Sequence, residues 1–98
     1  MMFIATLVHS PEDCWARPEN EEKANEWIDG MDERAEDAGV EVHGSYVTPN
    51  EHTFYFLLEA DSFEAISTFL GPPLLQDHDG HVAPVVTFGE AEQAVRED

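Results

Sequence analysis

The chain has 98 residues, 22 of them Asp or Glu against 4 Lys or Arg, for a formal net charge of −18 with 42% hydrophobic and 10% aromatic residues. So few basic side chains exclude nucleic acid and anionic membrane surfaces as partners, because such binding is carried by Lys and Arg at phosphates. The apolar and aromatic content excludes a disordered acidic chain.

What remains is one folded domain, residues 1–98, under an acidic shell. A domain this small buries only roughly 60 to 65% of its unfolded surface, so a partner subunit would strengthen its core. A shell of this charge stays soluble where salt screens self-repulsion, which predicts an extreme halophile's cytoplasm. No apolar run approaches the roughly 20 residues of a membrane span. No basic region precedes Met2 to Val8 as in a signal peptide. The lone Cys14 suits a reducing compartment, so the expected location is cytoplasmic.

Met2 to His9 is a short apolar run with β-branched and aromatic members, read as the first strand. Ser10-Pro11-Glu12-Asp13 places a cap, a proline and an acid in the order that starts a helical turn, and Arg17-Pro18 interrupts it. From Glu19 to Ala38 the residues Ala24, Trp27, Ile28, Met31, Ala35 and Ala38 recur at three and four, which predicts one amphipathic helix closed by Gly39. Gly30 in its middle marks close packing or a bend.

The second strand is predicted from the alternation of Val40, Val42, Gly44 and Tyr46 with Glu41, His43, Ser45 and Val47. Gly44 suggests a bulge or bend, and His43 falls on the outward face. After the turn at Pro49-Asn50, Glu51 to Ala60 reads as the central strand. Phe54, Phe56 and Leu58 line one face of it, and Thr53, Tyr55, Leu57 and Glu59 the other. Asp61 as N-cap with Glu64 three residues on predicts a capping box. The helix it opens buries Phe63, Ile66, Phe69 and Leu70 and stops at Gly71-Pro72-Pro73. A loop then leads to the last strand, Val82 to Phe88, where Pro84 demands an edge position. Gly89 to Asp98 reads as an acidic tail with at most one helical turn.

The order β-α-β-β-α-β is that of the ferredoxin-like plait, an α+β fold. Right-handed crossovers give an antiparallel four-stranded sheet of order 4-1-3-2 with both helices on one face. Val8, Tyr55, Leu57 and Val85 cannot all turn toward those helices, so the other sheet face needs a second copy to cover it. The whole chain resembles a small member of the dimeric α+β-barrel superfamily, in which two such sheets pack face to face. That superfamily includes cofactor-free monooxygenases of antibiotic biosynthesis, haem-degrading enzymes and chlorite dismutases. The segments His-Ser-Pro-Glu-Asp-Cys (9 to 14) and Pro-Asn-Glu-His-Thr-Phe-Tyr-Phe (49 to 56) are similar to an uncharacterised branch of it. The resemblance implies a fold and a homodimer and does not name a reaction.

In this topology the first strand ends at His9, the third begins after His52 and the fourth near His81, while the loops holding Cys14 and His78 lie at the same end. Neutral imidazole and thiolate are ligands that Zn, Cu and Fe favour, and three protein ligands leave a position for water or substrate. His9, Cys14 and His52 are therefore the expected metal ligands. His78 and His81 form a reserve pair, and Trp15 and Tyr55 are candidates to line a ligand pocket. The plain alternative is that these histidines are hydrogen-bonded loop residues and Cys14 a small hydrophobe. Asp77-His78-Asp79-Gly80 fails the calcium-loop pattern and serves as a turn. The acid runs Glu19 to Glu22 and Asp32 to Asp37 form a solvated face.

No phosphate-binding glycine loop, Gly-x-Ser-x-Gly elbow, Cys-x-x-Cys or His-Glu-x-x-His occurs, so turnover is not specified by any motif. The expected function is a homodimer that binds a transition metal (Zn, Cu or Fe) or a small ligand at the His/Cys rim. The competing expectation is a cofactor-free monooxygenase-like or haem-handling enzyme, using a barrel cavity beside Tyr55 and Leu57 with His9 or His52 as acid or base.

Overall fold

A computed structural model describes residues 1–96. Four strands, β1 (Met2–Val8), β2 (Glu41–Thr48), β3 (Thr53–Glu59) and β4 (Asp79–Val85), form one sheet in the order β2-β3-β1-β4 with every neighbouring pair antiparallel. This is the predicted strand order, and Pro84 lies on the edge strand β4.

The two faces of the sheet differ. Phe3, Ala5 and Leu7 of β1 and Phe56 and Leu58 of β3 are buried with Ile66, Phe69, Leu70 and Leu74 in the core. Across the central pair, Ile4 stands opposite Leu57 and Thr6 opposite Tyr55 on the other face. Ile4 and Val8 on that face are 40% and 42% exposed. No described element covers it.

The helical layer departs from expectation in three places. The predicted helix over 19–38 is two helices, α1 (Glu21–Asp29) and α2 (Met31–Ala38), divided at Gly30. Trp27 and Ala35 are buried as their spacing requires, whereas Ile28 is 60% exposed. The acid runs on these helices face solvent.

The helix after β3 does not stop at Gly71. It continues as α3 (Phe63–Asp77) through a kink where Gly71 holds φ 64° and ψ 176°. Only glycine occupies that conformation readily. Pro72 then starts the second segment, where a missing N–H costs nothing. Buried Leu74 anchors this segment, where the sequence predicts a loop. The cap of α3 is Ser62, whose Oγ accepts from the Ala65 N–H at 3.2 Å, rather than Asp61, and Phe63 is 55% exposed.

The chain beyond β4 forms α4 (Phe88–Arg96) in place of a strand end and tail; Glu97 and Asp98 lie outside the described residues. Thr87 and Glu90 cap it reciprocally, each side chain accepting the other's backbone N–H at 3.1 Å. α4 buries none of its residues and leaves Phe88 95% and Val95 73% exposed. The radius of gyration is 15.1 Å and the extents are 53 × 30 × 18 Å. A compact chain of this length would have a radius near 13 Å, so the molecule is elongated.

In β2 the register shifts between Val42 and Gly44, the irregularity expected at Gly44. The shift moves Tyr46 away from the face of Val42 and places it opposite Tyr55, with its side chain 65% of the way to full exposure. The Tyr46 ring lies against Gly44, where an added Cβ would meet the phenol oxygen at 2.6 Å. His43 is exposed, 2.8 Å from Glu59.

Candidate functional site

His9 follows the last residue of β1, and its backbone N–H extends the ladder by donating to the His52 carbonyl at 3.1 Å. Because side chains alternate along a strand, the residue after outward Val8 turns to the helical side. There the His9 ring meets Phe54 at 5.5 Å, His52 at 5.2 Å and His78 at 4.8 Å between centroids.

His52 reaches His9 through its backbone. It closes the short helical turn Pro49–Glu51 in a left-handed conformation, φ 52° and ψ 43°. It is the only described non-glycine residue with positive φ. That conformation costs a side-chain-bearing residue about 1–2 kcal/mol.

The loop carrying Cys14 is held by its neighbours. Asn20 Nδ2 donates to the Cys14 carbonyl at 2.9 Å. Trp15 is buried at 5% exposure among Trp27, Phe54 and His78, and its Nε1–H donates to Asp77 Oδ2 at 3.0 Å. Lys23 on α1 donates to the same oxygen at 2.7 Å. Together with the Trp15 indole it holds the Asp77 carboxyl below the usual range.

The next residue, His78, is buried at the end of α3. Its Nδ1 lies 2.8 Å from the Leu74 carbonyl and its Nε2 lies 3.0 Å from His9 Nδ1. Burial keeps both His78 and His9 below the ordinary imidazole value, and for His9 repulsion from His78 and His52 adds to it. Both rings are therefore neutral at pH 7.

Three buried ring nitrogens, His9 Nε2, His52 Nδ1 and Trp27 Nε1, find no hydrogen-bond partner among the described residues. Buried polar atoms without partners are rare and costly. One ligand atom each from His9, Cys14 and His52 lies within 4.8 Å of the others. In a tetrahedral site with bonds of about 2.0–2.3 Å, ligand atoms sit about 3.3–3.7 Å apart. At no more than 4.8 Å the three atoms are near that spacing, and Cys14 and His52 are half-buried rather than locked in the core.

Of the residues singled out from sequence, His9, Cys14, His52, His78 and Trp15 come together. His81 does not. It pairs with Thr6 on the uncovered sheet face and is exposed, so the reserve pair is split between two sides of the sheet. Tyr55 lies on that uncovered face as well, opposite Thr6 on β1 and Tyr46 on β2. Asp77 and Lys23, which fix Trp15, were not singled out, and neither was Phe54 as a wall of the site. The adjacency of Asp77 to His78 was the available signal.

The site opens on a cleft of about 260 Å³ lined by His9, Cys14, Trp15, Val47, His52 and Phe54 among others. A second group, Glu41, His43 and Glu59, also has metal-binding atoms in reach of one another, at the solvent-exposed far end of β2 and β3.

No curated protein matches the sequence. The fold resembles that of SCO4226 from Streptomyces coelicolor A3(2), with a TM-score of 0.55 and 17% identity over 89% of this chain and 100% of the other. It also resembles that of a presumed transposase from Deinococcus radiodurans R1, with a TM-score of 0.54 and 13% identity over 99% of this chain and 89% of the other. At such identities the likeness extends to the fold alone. The family model of the domain of unknown function DUF3303 matches residues 2–98, and the chain belongs to that family.

Proposed function

We propose that this protein binds a transition-metal ion through His9, Cys14 and His52, leaving a fourth position for water or a small ligand. The observation that carries the reading is the pair of buried, unpartnered imidazole nitrogens, His9 Nε2 and His52 Nδ1, beside the chain's only thiol. A metal would satisfy both at once. Two neutral imidazoles and a thiolate suit Zn, Cu or Fe, and metal-bound histidines regularly donate their second nitrogen to an outer acceptor, the role His78 fills for His9.

The working unit is a homodimer joined through the uncovered sheet face, in a salt-rich cytoplasm. Apolar Ile4, Val8 and Leu57 on that face and the exposed stripe of α4 support the first part, and the net charge of −18 the second. That charge also weighs against nucleic acid. No described helix is long and apolar enough to cross a membrane. An enzyme working beside Tyr55 would need its acid or base on the uncovered face, where His81 stands opposite Thr6, whereas His9 and His52 belong to the helical side.

The test is elemental analysis of untagged protein purified in high salt without chelator, beside a His9→Ala, His52→Ala double variant. Near-stoichiometric metal that disappears in the variant is expected. Metal absent from the wild type, even after incubation with Zn(II), Fe(II) or Cu(I), would refute the centre.

A further inference from the structure

The cleft at His9 shares a wall with another cavity. Trp15, Val47 and Phe54 also wall a second chamber of about 240 Å³, between the α1–α2 helices and the β2–β3 strands. Its remaining lining includes Trp27, Met31 and Phe56, and none of its lining residues is charged. In a chain with 22 acids that is a selective exclusion. Ile28 and Val47 line it while 60% and 54% exposed, so an apolar mouth stands open to solvent.

Small-molecule sites combine a mostly apolar cavity with a few placed polar groups. Here the apolar chamber and the candidate ligands share three wall residues. The surrounding negative potential disfavours an anionic ligand. A divalent ion on one thiolate and two neutral imidazoles keeps a single positive charge and accepts a neutral nitrogen donor.

We infer that the open position of the His9–Cys14–His52 centre takes a neutral aromatic nitrogen heterocycle, its donor atom on the metal and its apolar body lying across the shared wall of Trp15, Val47 and Phe54 toward the second chamber. This rests on the metal-binding reading above.

Co(II) replaces the metal as a spectroscopic probe, and the loaded protein is titrated with imidazole and with 4-phenylimidazole. Binding is followed by the visible cobalt bands and by tryptophan fluorescence, since Trp15 and Trp27 both line the chamber. Burial of the phenyl ring should tighten binding at least about tenfold over imidazole and quench the fluorescence. Ile28→Asp, at the exposed mouth, should abolish that advantage and leave cobalt and imidazole binding unchanged. Equal affinity for the two probes on cobalt-loaded protein would overturn the inference and leave the metal centre standing. An advantage that survives Ile28→Asp would place the ring elsewhere and overturn it too. Failure to bind cobalt would remove both.

Discussion

His9 Nδ1 and His78 Nε2 lie 3.0 Å apart, and the far nitrogen of His78 lies 2.8 Å from the Leu74 carbonyl. A carbonyl only accepts, so His78 Nδ1 carries a proton, and in the neutral ring Nε2 is the acceptor. His9 Nδ1 must then donate. The lone pair of His9 is left on Nε2, the buried atom without a partner. His78, expected as a reserve ligand, thus sets the tautomer that makes His9 a ligand. His78→Gln should lower metal affinity about 10–100-fold while retaining stoichiometry, as loss of an outer hydrogen bond does. Competition against a metallochromic chelator measures this, and nitrogen-15 NMR of the metal-free protein should show the His9 proton on Nδ1. A His9 ring protonated on Nε2 would contradict the relay.

The lowered imidazole values of His9 and His78 give stability a pH dependence of definite sign. Below the ordinary value of about 6.5 the unfolded chain takes up protons that the folded rings resist, so stability falls with falling pH. Above that value neither state is protonated and these groups contribute no slope. Asp77 adds a second loss further down, since its lowered carboxyl stabilises the fold above the ordinary carboxylate range and ceases to as pH falls through its folded value. Metal-free protein unfolded in denaturant should therefore lose stability from about pH 7 to about pH 5.5, and His9→Asn should flatten that limb. A level wild-type profile over this range would show that the rings are not buried as neutral bases.

Much of this arrangement could be read from the chain, and the misses have physical causes. Strong periodicity carried the first three strands, the order of the sheet and the buried spacing of Trp27 and Ala35, whereas β4 begins at Asp79, inside the expected turn, and ends at Val85. Convergence of His9, Cys14 and His52 followed from topology alone. The split between His78 and His81 did not, because one side chain precedes β4 and the other lies inside it, where alternation sends it to the opposite face. Capping misled in both directions. Asp61 and Glu64 have the spacing of a box, yet Ser62 takes the cap, while the same spacing at Thr87 and Glu90 forms a true box that starts α4. The second half of α3 was hidden by Gly71-Pro72-Pro73, a strong stop signal that also fits a kink with a proline restart.

That kink gives a direct mutational test. Gly71 holds positive φ, and a Cβ there would come against the Arg34 guanidinium, whose Nε donates to the Phe69 carbonyl at 3.2 Å. Strain at such a position is of order 1–3 kcal/mol. Gly71→Ala should lower stability by about that amount, measured by urea unfolding. Gly89→Ala, with no positive φ and its nearest outside atom at 3.8 Å, should change it little.

Salt should act on the whole chain. With −18 formal charges on 98 residues, self-repulsion is reduced as the screening length falls from about 10 Å at 0.1 M to about 3 Å at 1 M. Thermal unfolding should move upward through this range in KCl. An equal rise in an isoelectric protein of similar size would assign the effect to general salt exclusion instead.

The uncovered sheet face decides between monomer and dimer. Ile4 and Leu57 stand opposite one another at its centre, next to the Thr6–Tyr55 pair. On a two-fold interface every residue meets its counterpart's surroundings, so one substitution counts twice. Ile4→Glu places two carboxylates in the buried centre of the face-to-face pair, where charge without a partner is costly, while in the monomer the same side chain points to water. Light scattering in high salt should give twice the 11.0 kDa chain mass for the wild type and the single mass for Ile4→Glu, with unchanged far-ultraviolet dichroism. Phe88→Glu, on the projecting stripe of α4, separates two ways of closing the dimer. If α4 reaches over the second copy this variant also dissociates, and if only the sheets meet it remains dimeric. A wild type that stays monomeric at high concentration would remove the second copy from the proposal.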